Sequence, residues 1–140
     1  MNDVKQQSYP KWMKLILQSA GIYNVVWGAF VLFFPMAYFE WLGLTIPNYP
    51  QIWQSVGMIV GVYGLGYYIS AYDPYTHWPV IFVGYLGKVF GPIGTVYNIY
   101  LGKMDIKFLY INFTNDLIWL IPFSIILYRA YQFHRNKSLL

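Results

Sequence analysis

The chain contains no cysteine, which excludes disulfide bonds, thiol peroxidase chemistry, thiolate metal sites and iron–sulfur clusters. Charge is scarce as well: only 10% of the residues are charged, against about 25% in a soluble domain. In contrast, 58% of the residues are hydrophobic. The net charge of +4 comes from bases beside the ends of apolar segments, so membrane topology accounts for it better than a nucleic-acid partner does.

Several apolar segments approach 20 residues, the length that a helix needs to cross a bilayer. The sequence therefore predicts an all-α integral membrane protein in which residues 1–140 form a single transmembrane domain. Short, proline-containing connections make successive helices neighbours and antiparallel. The predicted fold is an antiparallel four-helix transmembrane bundle with spans at about 13–34, 51–72, 80–101 and 108–128.

The distribution of basic residues predicts the orientation. Four spans place both termini on one side, and the opposite side offers only Lys103 and Lys107. The positive-inside rule then makes both termini cytoplasmic, in a multi-pass protein of the cytoplasmic (inner) membrane. The basic residues on the terminal side are Lys5, Lys11, Lys14, Arg129, Arg135 and Lys137.

Each predicted span carries one narrow stripe of small and polar residues on an otherwise apolar surface. Lipid provides little hydrophobic drive between helices, so close packing and polar contacts hold such helices together, and the stripes should face one another. The stripes are Leu17, Gly21, Asn24, Gly28 and Val31; Gln54, Gly57, Gly61, Gly64 and Tyr68; Gly84, Lys88, Gly91, Thr95 and Asn98; and Asn112, Asp116, Trp119 and Phe123.

Lys88 stands out because a lysine inside a membrane span costs roughly 2.5–3.5 kcal/mol unless it finds a partner or reaches water. Pro92 cannot donate to the carbonyl of Lys88, so the charge and a free acceptor lie at one level. Asp116 falls at a similar depth in the last span, which predicts a direct or water-bridged ion pair. Such a pair is either functional or a structural device that fixes helix register, and a lysine that snorkels to the interface is the remaining alternative.

The polar residues of the four stripes form the candidate site. A cluster of this kind would accept a quinone, a lipid or a pigment, although nothing in the sequence requires a cofactor. No catalytic residue is assigned, and no metal is predicted, because His77 and His134 lie in a turn and a tail without a partner at ligand spacing. The candidate residues are Lys88, Asp116, Asn115, Asn24, Gln54, Asn98, Asn112 and Trp119.

Several segments of the chain have distinctive sequences, namely 21–28 (GIYNVVWG), 47–50 (PNYP), 52–54 (IWQ), 57–64 (GMIVGVYG), 73–74 (DP), 77–79 (HWP), 86–94 (LGKVFGPIG) and 115–119 (NDLIW). Together they resemble a family of small bacterial membrane proteins of about this length. Members are often labelled alkyl hydroperoxide reductase, a chemistry that needs the cysteine this chain lacks. More distantly, the layout is similar to the DoxX-like four-helix membrane proteins, and that resemblance implies a link to quinone-dependent oxidoreductases.

Three functions fit these observations. The leading one is a non-catalytic accessory or interaction subunit of a membrane complex, with other membrane subunits or a second copy of the chain as partners besides lipids. The resemblance implies that this complex is redox-linked. The second is a binding module for a quinone or lipid-like amphipathic ligand at the polar cluster. The third is an enzyme or a proton relay that uses Lys88 and Asp116, whose titrations would be coupled by proximity.

Overall fold

The structure, a computed structural model, describes residues 9–139 and is helical throughout, without a strand in that part of the chain. Four long helical segments account for most of it, and short helices occupy the connections. The elements are α1 (Lys11–Phe33), α2 (Ala37–Leu42), α3 (Pro50–Ser70), α4 (Trp78–Tyr100), a 3₁₀ turn (Ile106–Phe108), α5 (Leu109–Asn112), a π turn (Phe113–Leu117) and α6 (Ile118–Lys137).

Prolines and two glycines set the helix boundaries. Pro50 stands at the start of α3 and Pro79 in the first turn of α4, where a missing backbone N–H costs nothing. Gly43 and Gly102 follow α2 and α4 with φ of 62° and 68°. Glycine adopts this left-handed conformation at no steric cost, which explains why both helices end there.

The helices α1 and α3 pack in antiparallel contact over most of their lengths. Gly28 lies against Gly57 and Gly61 near one end of the pair, and Gly21 lies against Gly64 further along. A β-carbon built on Gly21 would come within 2.7 Å of the carbonyl oxygen of Gly64. The backbones are therefore too close for any larger residue, as expected for small residues at a membrane helix interface.

The remaining helices pack beside the α1–α3 pair. α3 contacts α4, and α4 contacts both the π turn and α6. Side chains of α1 and α6 meet in a shared buried core. At the end that carries the described termini, Tyr75 stacks on Phe133 with ring centroids 5.1 Å apart. At the opposite end, the Lys107 ammonium donates to the carbonyl oxygen of Leu42 at 2.6 Å.

Among the described residues, three helical segments are long and apolar enough to cross a membrane: Lys11–Phe33, Trp78–Tyr100 and Ile106–Lys137. This indicates a membrane protein. The second predicted span, 51–72, is present as the helix α3, but its many glycines and tyrosines lower its mean hydropathy, so it is not one of the three. The last helix continues to Lys137, beyond residue 128, where the predicted span ends, so the basic residues that follow the apolar segment are also helical. Lys5, used to predict the orientation, lies outside the described residues.

Candidate functional site

The α1–α3 contact buries an amide. Asn24 lies on the face of α1 between Gly21 and Gly28, and only 3% of its surface is exposed. A β-carbon on Gly64 would come within 2.9 Å of the β-carbon of Asn24, so the close approach of the two helices encloses this side chain. Its Oδ1 atom is buried and has no hydrogen-bond partner within residues 9–139.

Lys88 enters the same region from α4 and is 5% exposed. Its ammonium donates to the backbone carbonyl oxygen of Asn115 at 2.5 Å. The same nitrogen lies 5.7 Å from the centre of the Tyr67 ring, a distance at which the face of an aromatic ring attracts a cation. A carbonyl dipole and a ring therefore replace part of the water that this charge loses on burial.

The carbonyl that meets Lys88 belongs to the π turn, a feature that the sequence did not predict. The backbone N–H of Ile118 bonds to the carbonyl of Phe113, five residues back. This leaves carbonyls within the turn to accept from side chains, and the indole of Trp119 donates to the Thr114 carbonyl oxygen at 3.1 Å. π turns of this type are often found at functional sites.

Asp116, the next residue, is half-buried and bonds to a different neighbour. Its Oδ2 atom accepts from the side-chain amide of Asn112 at 3.0 Å. In the described part of the chain, the Lys88 ammonium has no carboxylate oxygen within the 4.0 Å of a salt bridge. The predicted direct ion pair is thus not formed, because the π turn directs the backbone of Asn115, rather than the Asp116 carboxylate, to the lysine.

The side chain of Asn115 is held by a residue from α1. Tyr23 donates its hydroxyl hydrogen to Asn115 Oδ1 at 2.7 Å. Its ring also lies against Trp119, with centroids 5.8 Å apart. Tyr23 therefore connects α1 to the π turn and fixes the amide beside Lys88.

These side chains border a cavity of about 190 Å³. Its polar lining consists of Asn24, Lys88, Asn115 and Asp116, and the remaining wall is aromatic, aliphatic or glycine. Ile59 of α3 and Gly87 of α4 are both exposed residues and both line the cavity, so it opens between α3 and α4 on the outer surface. The other lining residues are Val60, Tyr63, Tyr67 and Gly84.

Two of the residues predicted from sequence do not reach this cavity. Gln54 donates to the carbonyl oxygen of Leu32 at 2.9 Å, and Asn98 donates to the Gly94 carbonyl oxygen of its own helix at 2.8 Å. Asn98 is ten residues beyond Lys88, which is roughly 15 Å along a helix. Gln54 and Asn98 therefore lie on the predicted helix faces but not at the depth of the cavity.

Asn112 and Trp119 support the cavity without lining it, through their bonds to Asp116 and to the Thr114 carbonyl. Conversely, sequence reasoning missed Tyr23, Tyr63 and Tyr67. Tyr67 is 2% exposed, whereas Tyr68, the tyrosine predicted for the α3 stripe, is 38% exposed. Tyr67 lies three residues after Gly64 and Tyr68 four, and both spacings fit one helix face.

No family model, curated protein or solved structure matches this chain. The chemistry of the site is therefore inferred from its own groups. Within residues 9–139, no three His, Cys, Asp or Glu side chains are grouped so as to hold a metal ion, and His134 Nε2 is hydrogen-bonded to the Tyr75 carbonyl oxygen. The cavity is lined by one ammonium, one carboxylate and two amide side chains, which suit a ligand with a small polar head.

Proposed function

We propose that the chain is a membrane protein that binds the polar head of a small amphipathic molecule, quinone-like or lipid-like, in the cavity between α3 and α4. The observation that carries this proposal is that Asn24, Lys88, Asn115 and Asp116 converge on one cavity whose remaining wall is largely apolar. Small-molecule sites combine an apolar wall with a few convergent polar groups in this way. The tail of the ligand would leave through the opening and lie against the surrounding lipid.

The proposed membrane arrangement is an antiparallel four-helix bundle. α3 is the fourth span, since it packs along α1 over most of its length and is 21 residues long, enough for a hydrocarbon core of about 30 Å. Among the described residues, the end with the termini carries Lys11, Lys14, Arg129, Arg135 and Lys137 against Asp73. The positive-inside rule then puts both termini in the cytoplasm and the protein in the cytoplasmic membrane.

The volume of the cavity limits the size of the head. A cavity of about 150 Å³ in a protein core is large enough to bind benzene, so about 190 Å³ holds a head the size of one substituted ring. The lysine and the carboxylate offset each other's charge, which favours a head that is neutral overall. A quinone ring or a small lipid head group meets both conditions.

The other two functions inferred from the sequence stay predictions. An accessory role in a membrane complex, and the DoxX-like relationship that suggested a redox partner, are compatible with a bound amphipathic ligand. A proton relay between Lys88 and Asp116 is less favoured, because each group has its own hydrogen-bond partner, Asn115 for the lysine and Asn112 for the aspartate.

Two glycines on α4 allow a matched test. A β-carbon on Gly87 or on Gly94 would have no atom of the described residues within 4 Å, so the helix packing tolerates a side chain at either position. Only Gly87 lines the cavity. The Gly87→Leu variant should therefore fill the opening, whereas Gly94→Leu adds the same side chain to the same helix away from it.

The measurement is mass spectrometry of the small molecules extracted from each protein after purification in a mild detergent. We expect one amphipathic compound near one molecule per chain in the wild type and in Gly94→Leu, and its loss from Gly87→Leu. Equal amounts of the bound compound in all three proteins would contradict the proposed site.

A further inference from the structure

The two oxygens of the Asp116 carboxylate have different surroundings. Oδ2 accepts from the Asn112 amide at 3.0 Å, and a β-carbon built on Gly91 would lie 3.2 Å from it. Asp116 lines the cavity, whereas Asn112 and Gly91 do not. Oδ2 is therefore turned toward these two residues, and Oδ1 is the oxygen on the side of the cavity.

Oδ1 of Asp116 is free to accept a hydrogen bond. Within residues 9–139 no donor is bonded to it, and the enclosed side-chain polar atoms without a partner in that range are Asn24 Oδ1, Trp53 Nε1 and Asn112 Oδ1. Asp116 Oδ1 is not one of these enclosed atoms, so it keeps surface that a ligand in the cavity can reach. A carboxylate oxygen accepts strong, charge-assisted hydrogen bonds, and a ligand that displaces water from it loses affinity unless it supplies a donor.

Lys88 restricts the charge of that donor. It is 5% exposed and lines the same cavity as Asp116. A cationic donor such as an amine would be attracted by the carboxylate but repelled by the lysine, and it would lose its own hydration on entry. An uncharged N–H or O–H group gains the bond to Asp116 Oδ1 without that repulsion.

We infer that the preferred ligand head is uncharged and donates a hydrogen bond to Asp116 Oδ1. This inference rests on the proposed function, since it specifies the ligand of the same cavity. Ketones, quinones, esters and ethers only accept hydrogen bonds, so they would leave the carboxylate oxygen without a partner. The cavity should therefore select heads with an uncharged donor, such as carboxamides, over carbonyl heads of the same shape that have none.

Two probes that differ only in the donor test this selectivity. They are 4-heptylbenzamide and 4-heptylacetophenone, which share the ring, the tail and the carbonyl oxygen, and in which an NH₂ group and a methyl group of similar size take the same place. Binding is measured by calorimetry with the full chain in nanodiscs of one synthetic phospholipid, and protein-free nanodiscs give the partition background. We expect the wild type to bind the amide about tenfold more tightly than the ketone, the difference that one hydrogen bond produces.

The Asp116→Asn variant identifies the partner of this donor. Its side-chain oxygen can keep the bond from Asn112, so its NH₂ group takes the position of Oδ1 and offers a donor where the wild type offers an acceptor. The preference for the amide should disappear, and the ketone should bind at least as tightly as it does to the wild type. Asn98→Leu is the control, because Asn98 bonds within α4 and does not line the cavity, and it should keep the tenfold preference.

The outcomes separate this inference from the proposed function. If the wild type binds both probes equally, or if the preference persists in Asp116→Asn, the donor inference is wrong, whereas weaker binding of both probes to Gly87→Leu would still support a binding cavity. If neither probe binds the wild type above background, the donor inference also fails, and this comparison needs no variant to fold. The proposed function would then stand only if an amphipathic compound co-purifies with Gly94→Leu and not with Gly87→Leu.

Discussion

The ammonium of Lys88 donates to the backbone carbonyl of Asn115 at 2.5 Å, and not to the side chain of Asp116, its neighbour in sequence. The charge is thus held by a peptide dipole that no substitution at position 115 removes. This arrangement separates the two side chains, so that Lys88 and Asp116 attract each other through space but share no hydrogen bond.

A double-mutant cycle tests that separation. We expect the losses of unfolding free energy in Lys88→Met and Asp116→Asn to show a coupling below about 2 kcal/mol, because the two groups attract each other through space but do not touch. The measurement is thermal or denaturant unfolding of both single variants and the double variant in one detergent. A coupling of about 3 kcal/mol, the upper end of the range for residues in direct contact, would show that they pair directly in the membrane.

The α1–α3 interface should not tolerate a methyl group at position 28. A β-carbon on Gly28 would lie 2.9 Å from the backbone nitrogen of Gly61 and against the Gly57 carbonyl, and backbone atoms cannot move aside cheaply. We expect Gly28→Ala to lower the unfolding free energy by about 1–3 kcal/mol, as overpacking does, with a lower melting temperature in detergent.

Gly61→Ala is the control for this change. Its β-carbon would have no atom within 4 Å, and alanine is a better helix former than glycine by up to about 1 kcal/mol. This variant should melt at or above the wild-type temperature. Equal melting temperatures for Gly28→Ala and Gly61→Ala would contradict the close contact.

Gly84 determines where the Tyr67 ring lies in the cavity wall. A β-carbon on Gly84 would overlap the hydroxyl end of Tyr67, whose ring packs edge-to-face against Phe123 with centroids 5.0 Å apart. We expect Gly84→Ala to push the ring into the cavity, to reduce the amount of the amphipathic compound that co-purifies with the protein, and to lower stability by about 1–3 kcal/mol.

The overlap can be relieved by shortening the other partner. In a Tyr67→Leu background, the stability cost of Gly84→Ala should shrink by about 1 kcal/mol or more, because the clash is gone. Unfolding of all four proteins measures this difference. An undiminished cost would mean that the ring does not occupy the position described.

Acid should weaken the turn that precedes α4. Although partial burial acts in the opposite direction, hydrogen bonds from Thr76 lower the pKa of the Asp73 carboxyl below its usual value, and the Thr76 backbone N–H donates to Asp73 Oδ1 at 3.1 Å. The ionised carboxylate therefore stabilises the fold at pH values above the unfolded pKa of about 3.9, and this contribution disappears as the pH falls through the lower folded pKa.

Asp73→Asn isolates this effect from the other carboxylates. At pH 7 the wild type should melt above the variant, and the gap should close as the pH falls from about 4. Melting curves of both proteins across this range give the comparison. A difference in melting temperature that stays constant down to pH 3 would show that it does not come from the ionisation of Asp73.

The sequence predicted α1 well because spacing alone determines its buried face. Leu17, Gly21, Asn24, Gly28 and Val31 were expected on one side, and all five are buried. Glycine and asparagine at alternating three- and four-residue intervals admit only one helix face. The glycines of α3 were also expected on an interior stripe, and Gly57 and Gly64 lie against α1.

The cavity was harder to predict, since it depends on depth and on local backbone geometry. Gln54 and Asn98 fit their stripes and yet bond elsewhere, because periodicity gives direction around a helix but not the position of a neighbour along it. Tyr67 and Tyr68 both satisfied the spacing on α3, and only packing against Phe123 distinguishes the first. The π turn has no periodic signature at all.

That turn has a consequence for the last helical segment. Residues 113–117 contain one more residue than an ordinary helical turn would need, and each residue of an α-helix rotates the chain by roughly 100°. The side chains of the helix that begins at Ile118 are therefore rotated about the helix axis relative to those of the helix that ends at Asn112. Deleting one residue of the π turn would remove this rotation. Either Asn112 and Asp116 or the whole of α6 would then turn away from its present neighbours, so chain length in this segment matters as much as residue identity.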